Sequence, residues 1–312
     1  MLFTIIIPVY NKAEFIPALI ESVQSQTLDD YEVIIVDDAS KDNSLEILNQ
    51  LTSSNDKFRV IKNLNNKGVA ESRNSAIDLS KGQYLLFIDA DDRFLDKNLF
   101  EEIKNYIHEY QSDYIFLHRN YYGKKKKPRI KRFDSNLIKL SKNVYQLRDK
   151  QRFIIKYSFP LGGSASAIVS KKLINKDDRF KKELDHFEDW LFFARILSKS
   201  VKPIIYKKDT VYINYSSTSL SRAINIRREF KFSIFNDELK KMGFNKASKA
   251  FFWIDLTNYI RLNSQKNVNL NNIHLKDFFM NFVFSKYFFY CAIKFFWLKF
   301  KQKLSVLVFN KD

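Results

Sequence analysis

Cysteine, glycine and proline are scarce in this chain, and the scarcity of cysteine limits the kinds of cross-link and metal site that the protein can form. The 312 residues include one cysteine, Cys291, with six glycines and five prolines. A single cysteine excludes an internal disulfide framework and a cysteine-rich metal site. Aromatic residues make up 16% of the chain, which is not typical of disordered or low-complexity proteins. The length suits one large domain, or one domain with a helical appendage.

Two glycine-rich motifs that bind phosphate are also missing from the sequence. No GxGxxG follows the first apolar run, which argues against a dinucleotide cofactor, and the absence of GxxxxGK[ST] argues against a P-loop nucleotidase. The first residues, MLFTIIIPVY, lack the basic region and long apolar run of a signal peptide, so we expect a first strand there.

The chain is strongly basic. Its 53 lysines and arginines exceed 35 acidic residues by 18, which predicts attraction to nucleic acid, anionic lipid or phosphorylated substrates. The basic residues are spread along the chain, and no helix-turn-helix, RNP or zinc-finger signature occurs. We therefore do not expect a nucleic-acid partner, although a basic nucleic-acid-binding protein remains an alternative from another functional class.

Strand and helix patterns alternate through the first half of the chain. Asn11 with Glu14 resembles a capping box for the first helix. Helices between successive strands indicate right-handed βαβ units and a doubly wound, mostly parallel α/β sheet. The apolar runs that predict strands lie at residues 3–9, 31–36, 58–61, 84–88 and 113–117.

The carboxyl-terminal region, from about residue 222, has a helical pattern. Residues 275–308 are rich in Phe and Trp and are interrupted by Lys286 and Lys294. A spanning helix needs roughly twenty apolar residues with few charges, so the two lysines argue against a span. Lysine beside aromatic residues is typical of a helix in the membrane interface, which we expect here. A core helix and a span are the alternatives.

An apolar run, Tyr84 to Ile88, ends abruptly in Asp89-Ala90-Asp91-Asp92. Ligands in open α/β sheets bind at the carboxyl ends of strands. Carboxylates that repel one another need a counter-charge, which a divalent cation such as Mn²⁺ or Mg²⁺ can supply. A solvated acidic turn is the alternative interpretation.

The ends of the first, second and fourth predicted strands should line one crevice. They carry Pro8-Val9-Tyr10-Asn11, Asp37-Asp38 and Asp89-Ala90-Asp91. A cation there could bridge the carboxylates to a diphosphate. Arg73, in the stretch GVAESRN, can add positive charge beside it.

Four motifs together resemble the family 2 glycosyltransferases of the GT-A fold. They are IIIPVYN, VIIVDDASKDNS, NKGVAESRNSAI and KGQYLLFIDADDRF, in that order and spacing. The resemblance is strong over residues 3–100 and continues weakly to about 220, through FEDWLFF. It implies a GT-A domain over 1–221, with the donor site in 1–100 and the acceptor and catalytic part in 101–221. A helical region, 222–312, would follow.

The resemblance also implies a function. The enzyme would transfer a sugar with inversion from a nucleotide-sugar, a UDP-hexose or UDP-N-acetylhexosamine, to a hydroxyl of a glycan or lipid-linked acceptor. Such acceptors occur in the synthesis of surface polysaccharides such as capsule or lipopolysaccharide, and the cofactor would be Mn²⁺ or Mg²⁺. We expect a cytoplasmic protein that lies peripherally on the inner face of the cell membrane, with anionic lipid as partner of its carboxyl-terminal helices.

The resemblance assigns donor-site residues one by one. Asp38 matches the carboxylate that accepts a hydrogen bond from the uracil imide, which agrees with its chemistry as an acceptor. Arg73 matches a basic residue near ribose and phosphate. Asp89 points toward ribose and metal, Asp91 binds the metal directly, and Asp92 is a weaker ligand candidate. The nucleobase pocket is bordered by Pro8, Tyr10 and Asn11.

Asp189 matches the catalytic base, which takes a proton from the acceptor hydroxyl. One base suffices for inversion, whereas retention through a covalent sugar needs a nucleophilic carboxylate. Acidic residues are also favoured in a first helical turn by the dipole, so Glu188 and Asp189 have a purely structural alternative. Glu188 is a further possible site residue, and we expect His186 to be a bystander.

The sequence departs from the family between residues 212 and 222. Many relatives place a histidine there that helps to hold metal or diphosphate, but this chain has Tyr215. Ser219 or Arg222 takes over the phosphate contact, or the loop is only a linker. A nucleotidyltransferase of similar fold, which would release pyrophosphate from a nucleoside triphosphate, is a second alternative.

Overall fold

The computed structural model describes residues 1–121, 136–150, 153, 167–184, 188–214 and 232–243. The chain divides into two compact units, Met1–Lys231 and Phe232–Asp312. The predicted boundary at residue 221 and the aromatic segment 275–308 lie outside the described residues, so the predicted domain organisation stays a prediction. Among the described residues, no helix has the length and apolarity needed to cross a membrane.

The first unit is built on one ten-stranded sheet of order β3-β2-β1-β4-β9-β6-β10-β8-β7, with β5 paired to β10. The strands are β1 Phe3–Val9, β2 Tyr31–Asp37, β3 Phe58–Lys62, β4 Tyr84–Phe87, β5 Arg93–Phe94, β6 Tyr114–Tyr121, β7 Leu137–Lys139, β8 Val144–Leu147, β9 Ala167–Ser170 and β10 Pro203–Ile213.

The half of the sheet that carries the acidic strand ends is parallel. Strands β3, β2, β1 and β4 all run in one direction, as the alternating pattern predicts. All seven residues of β1 are buried, which explains its continuous apolar sequence, because parallel strands are covered on both faces. Beyond β4 the sheet becomes mixed, since β9 runs antiparallel between β4 and β6.

The helices of the described residues connect these strands or follow them. They are α1 Ile16–Gln24, α2 Ser44–Thr52, α3 Val69–Leu79, α4 Leu99–Tyr110, α5 Glu188–Lys199 and α6 Phe232–Lys241, with a 3₁₀ turn at Lys171–Leu173. The predicted capping box is wrong. Helix α1 begins later, after Phe15, without a side-chain cap, and the Asn11 side chain instead accepts a hydrogen bond from the Lys41 amide at 2.7 Å. A left-handed backbone at Asn11, with φ 52°, places a turn between strand and helix.

An aromatic cluster fixes α5 against the end of β4. The ring of Phe87 lies 5.5–5.8 Å from the rings of Phe180, Phe192 and Phe193. Each fully buried side chain of this size contributes about 1.5–3 kcal/mol. Helix α3 joins the cluster through Asn74, whose amide exchanges two 2.9 Å hydrogen bonds with the backbone of Phe180. This packing brings the first turn of α5 beside the acidic end of β4.

Candidate active site

The ends of three neighbouring parallel strands form the floor of the candidate site. Val9 of β1 pairs with Asp37 of β2, and Ile6 pairs with Phe87 of β4. The Asp38 amide donates to the Val9 carbonyl at 2.8 Å, which ties the exit of β2 to that of β1. The three acidic and polar stretches singled out in the sequence therefore meet at one edge of the sheet.

Asp38 is buried and holds the turn that precedes α3. Its Oδ1 accepts from Asn63 Nδ2 and from the Lys67 amide, both at 2.8 Å, and its Oδ2 accepts from the Gly68 amide at 2.7 Å. Gly68 has φ 88°, a conformation that strongly favours glycine. One lone pair of Oδ2 remains for a further donor. The uracil contact of Asp38 stays a prediction, and its structural role is one that the sequence did not reveal.

Asp37 was singled out in the sequence but given no role of its own. It is fully buried, and its Oδ2 accepts from the Ser40 amide at 3.3 Å. Its Oδ1 has no hydrogen-bond partner among the described residues. The two adjacent carboxylates thus differ sharply, because only Asp38 is well supplied with donors.

The residues predicted to border the nucleobase follow β1 directly. Pro8 is buried within the strand, whereas Tyr10 presents an exposed aromatic ring just beyond it. The Asn11 amide donates to Ser40 Oγ at 3.0 Å, and its side chain accepts from the next residue along that loop. The loops after β1 and β2 are thereby joined beside Tyr10.

Arg73 of α3 bridges the end of β4 to the start of α5. Its guanidinium donates to Asp89 Oδ1 at 2.8 Å and to Glu188 Oε1 at 3.1 Å, and its side chain is 4% exposed. Burial alone would lower the pKa of Arg73, but the charges of Asp89, Glu188 and Asp189 outweigh it and raise that pKa. The predicted position near ribose and phosphate stays a prediction, and the link to Glu188 was missed by sequence reasoning.

Asp189 has the most strongly perturbed carboxyl group of the site. Burial, followed by the charge of Glu188, raises its pKa to about 7, while Arg73 and a 2.6 Å hydrogen bond from the Trp190 amide oppose the shift. A carboxyl group with a pKa near the working pH is suited to general-base catalysis. The position in the first turn of α5 explains why the sequence alone left a structural alternative open.

Asp91 is paired with a residue that sequence reasoning missed. Its Oδ2 lies 2.6 Å from Nζ of Lys12, and the two side chains are 14% and 21% exposed. The sequence could have indicated this pair by position, because Lys12 lies in the loop after β1, at the edge of the sheet where Asp91 also lies. Asp92 is turned to another partner, since its Oδ1 accepts from the Asn214 amide at 3.0 Å and so ties the exit of β4 to the end of β10.

A pocket of about 170 Å³ opens beside Asp91. The guanidinium of Arg93 stacks over the ring of Tyr212 at 4.3 Å on one side of it. The residues that line the pocket are Glu14, Phe15, Ala18, Asp91, Asp92, Arg93, Tyr212 and Asn214.

The carboxylates of Asp89 and Asp91 fit a divalent cation only together with a substrate. Carboxylate oxygen is the ligand that Mg²⁺ and Mn²⁺ prefer, and one or two carboxylates plus substrate phosphates are a common set for Mg²⁺. In the part of the chain that the structure describes, no group of three or more His, Cys, Asp or Glu side chains could hold a metal. A diphosphate would have to complete the coordination. Ser219, Arg222, Tyr215 and His186 lie outside the described residues.

The mostly parallel sheet with acidic side chains at its strand ends agrees with the GT-A fold that the sequence predicts. The chain belongs to glycosyl transferase family 2, because the profile of that family, described as "Glycosyl transferase family 2", matches residues 4–177.

Two curated relatives match part of the chain. A poly(ribitol-phosphate) beta-glucosyltransferase of Bacillus spizizenii is 40% identical over 116 residues, which are 36% of this chain and 18% of the relative. The UDP-Glc:alpha-D-GlcNAc-diphosphoundecaprenol beta-1,3-glucosyltransferase WfaP of Escherichia coli is 38% identical over 125 residues, which are 40% of this chain and 47% of the relative. The chain thus spans less than half the length of either relative.

Residues 1–349 of S. aureus TarS have a similar fold. The TM-score is 0.67 at 21% identity, and the match covers 87% of this chain and 76% of that one. The same fragment is known with UDP, at a TM-score of 0.64, and with UDP-GlcNAc, at 0.60. The predicted GT-A fold is thereby confirmed.

Proposed function

We propose that the protein is an inverting, metal-dependent glycosyltransferase. It transfers a sugar from a nucleotide-sugar, in the first place a UDP-sugar, to a hydroxyl of a glycan or lipid-linked acceptor in surface-polysaccharide synthesis. The observation that carries the proposal is the buried Asp189 carboxyl group beside Arg73 at the acidic strand ends, because burial and the charge of Glu188 raise its pKa to about 7.

The donor side of the proposal is supported by the strand-end crevice and by the relatives. Tyr10 offers an exposed ring for a nucleobase, and Asp38 keeps one lone pair for an imide N–H. WfaP is named for a UDP-Glc donor, and TarS is known with UDP and UDP-GlcNAc. The acceptor class is supported by the names of the two curated relatives, which act on poly(ribitol phosphate) and on a diphosphoundecaprenol-linked sugar.

The chemistry is a direct displacement with one base. An Asp189 oxygen accepts the proton of the acceptor hydroxyl as that oxygen attacks the anomeric carbon of the donor. The bond from that carbon to the diphosphate breaks on the opposite face, so the configuration inverts. A divalent cation held by Asp91 and Asp89 would supply positive charge for the departing diphosphate.

Arg73 and Glu188 prepare Asp189 for this role. Glu188 repels a negative charge on Asp189 and so favours proton uptake, while Arg73 keeps the pKa from rising further. Both partners are held by the 3.1 Å contact between them. Asp189 can therefore be deprotonated near neutral pH and yet take a proton during the reaction.

A donor screen tests the proposal. The full chain is incubated with UDP-Glc, UDP-GlcNAc, UDP-Gal and GDP-Man, with Mn²⁺, Mg²⁺ or EDTA, and release of the nucleoside diphosphate is measured with candidate glycan acceptors. We expect metal-dependent release of UDP from one of the UDP-sugars and a product of inverted configuration by NMR. Release of pyrophosphate from a nucleoside triphosphate, or retention at the anomeric carbon, would contradict it.

The membrane partner is a separate proposal that rests on composition. We propose that residues 222–312 attach the enzyme to anionic lipid at the inner face of the membrane, through lysines and aromatic residues of the segment 275–308. Flotation of the full chain with anionic and with neutral vesicles tests this. We expect recovery with anionic vesicles only, falling as salt rises, and absence of the chain from both floated fractions would refute it.

A further inference from the structure

We propose that Lys12 is an exchangeable counter-cation of Asp91. Its ammonium neutralises Asp91 while the donor site is empty, and it turns to the diphosphate oxygens when a divalent cation and the nucleotide-sugar bind. This inference rests on the proposed function, because it needs a metal–diphosphate ligand. It assigns to Lys12 a role in metal affinity and in donor binding.

The backbone of Lys12 is fixed, so only its side chain can move. Its amide donates to Ser44 Oγ at 2.8 Å, and its carbonyl accepts from the amides of Phe15 and Ile16 at 2.9 and 3.3 Å. The ammonium lies 2.6 Å from Asp91 Oδ2 and 5.5 Å from the centre of the Phe15 ring. Since a lysine stem is long and rotatable, the ammonium can leave Asp91 while the turn stays in place.

The two carboxylates at the end of β4 differ in how firmly their cations are held. Asp89 is paired with Arg73, which is nearly fully buried and is held on the other side by Glu188 and by the ring of Phe180. Asp91 is paired with Lys12, whose side chain is 21% exposed and has one acidic partner among the described residues. Asp91 is therefore the carboxylate at which one cation can replace another.

A divalent cation on Asp91 and the Lys12 ammonium oppose one another. Two cations on one carboxylate repel, so occupation by the metal weakens the bond to Lys12 and Lys12 weakens the metal. A donor brings a diphosphate with negative charge to the same edge of the sheet. Lysine binds phosphate well as a point charge, so the released ammonium gains a new partner. Lys12 thus lowers the affinity for a metal ion in the absence of nucleotide and raises the affinity for the donor.

The two effects have opposite signs, which a merely structural ion pair would not produce. In Lys12→Met, we expect Mn²⁺ to bind the nucleotide-free chain roughly five-fold more tightly, the size of effect of a partly exposed ion pair. We expect UDP to bind the Mn²⁺-saturated chain roughly five-fold more weakly for the same reason. Electron paramagnetic resonance of free Mn²⁺ and calorimetry with UDP measure these two affinities without turnover.

Lys81→Met is the matched control, because Lys81 precedes β4 and so lies at the opposite end of that strand from Asp91. It carries the same charge change and should leave both affinities as in the wild type. Lys12→Arg keeps the positive charge and should keep the weaker Mn²⁺ affinity of the wild type. Thermal unfolding followed by circular dichroism checks that each variant is folded.

Unchanged or weaker Mn²⁺ binding by Lys12→Met would overturn the inference, and so would unchanged UDP binding. Equal Mn²⁺ binding by the wild type and Asp91→Asn would also overturn it, because the metal would then lie elsewhere. UDP release by the wild type from a UDP-sugar is measured in parallel. If that release is intact while either affinity result fails, Lys12 has no such role and the glycosyltransferase function stands.

Discussion

Arg73 donates a 2.8 Å hydrogen bond to Asp89 from a guanidinium that is almost wholly shielded from water. A second bond from the same group reaches Glu188, which lies 115 residues further along the chain. The acidic end of β4 and the first turn of α5 are thus joined through one buried cation. We expect both the stability of the site and the proposed chemistry of Asp189 to depend on this cation.

Removal of this cation should destabilise the protein strongly. Arg73→Met leaves the carboxylates of Asp89 and Glu188 without their partner, and loss of one member of a fully buried ion pair costs about 3–5 kcal/mol. Because the Asp89 side chain is 39% exposed, we expect a smaller loss of about 1–3 kcal/mol. Urea unfolding followed by tryptophan fluorescence measures the loss. The double variant Arg73→Met/Glu188→Gln should recover part of it, because one uncompensated charge is removed. A single variant as stable as the wild type would refute the bridging role.

The pH dependence of the reaction should follow Asp189. Its pKa is raised to about 7, and the base must be deprotonated, so kcat/KM should fall as the pH drops through about 7. In Glu188→Gln, a negative neighbour that raises the pKa is gone, so the acidic limb of the profile should move to lower pH. Initial rates of UDP release between pH 5 and 9 show this. An acidic limb that stays in place would contradict the assignment.

Asp189 should also lower the stability of the fold at high pH. The pKa of Asp189 is higher in the folded state than in the unfolded state, so the folded state binds more protons than the unfolded state at pH values between the two. The stability that this group contributes is fully present below about pH 4, the pKa of an aspartate in the unfolded chain. It is lost as the pH rises through about 7, the pKa of Asp189 in the folded state. Asp189→Asn should therefore be more stable than the wild type at pH 8, and the difference should shrink toward pH 4. Melting temperatures across that range measure it, and a constant difference would contradict the expectation.

Asp38 should matter to the fold even in the absence of donor. In Asp38→Asn, the amide nitrogen cannot accept from the backbone, and one unsatisfied buried donor costs about 1–3 kcal/mol. We expect a lower free energy of unfolding together with weaker UDP binding. Asn63→Ala serves as a control, since it removes the side-chain amide that donates to Asp38 Oδ1 and leaves the Asp38 carboxylate itself. If both variants are as stable as the wild type, the turn before α3 does not depend on Asp38.

Much of the parallel half of the sheet could be predicted from local sequence. β-branched runs such as Phe3 to Val9 are buried on both faces, and an apolar strand that ends in Asp89 and Asp91 indicates a ligand-binding edge. The family motifs follow from the same residues. The antiparallel strand β9 was not predicted, because four residues, Ala167–Ser170, provide too short a pattern to define its direction.

The contacts within the site could not be predicted, because they depend on residues far apart in the chain. Asp38 accepts hydrogen bonds from a segment 25–30 residues away, and Arg73 meets Glu188 where the packing of Phe192 on Phe87 positions α5. The pairing of Lys12 with Asp91 joins two separate strand ends. Sequence motifs identify these residues but do not show which side chains they contact in the folded protein.

The most direct test compares UDP release by the wild type and by Asp189→Asn with the same donor and acceptor. Asp56→Asn is the matched control, since Asp56 is exposed just before β3, away from the acidic strand ends. We expect Asp189→Asn to bind UDP like the wild type and to lose about 10²–10⁴-fold in kcat, the usual contribution of a general base. Transfer at the wild-type rate by Asp189→Asn would contradict the central claim.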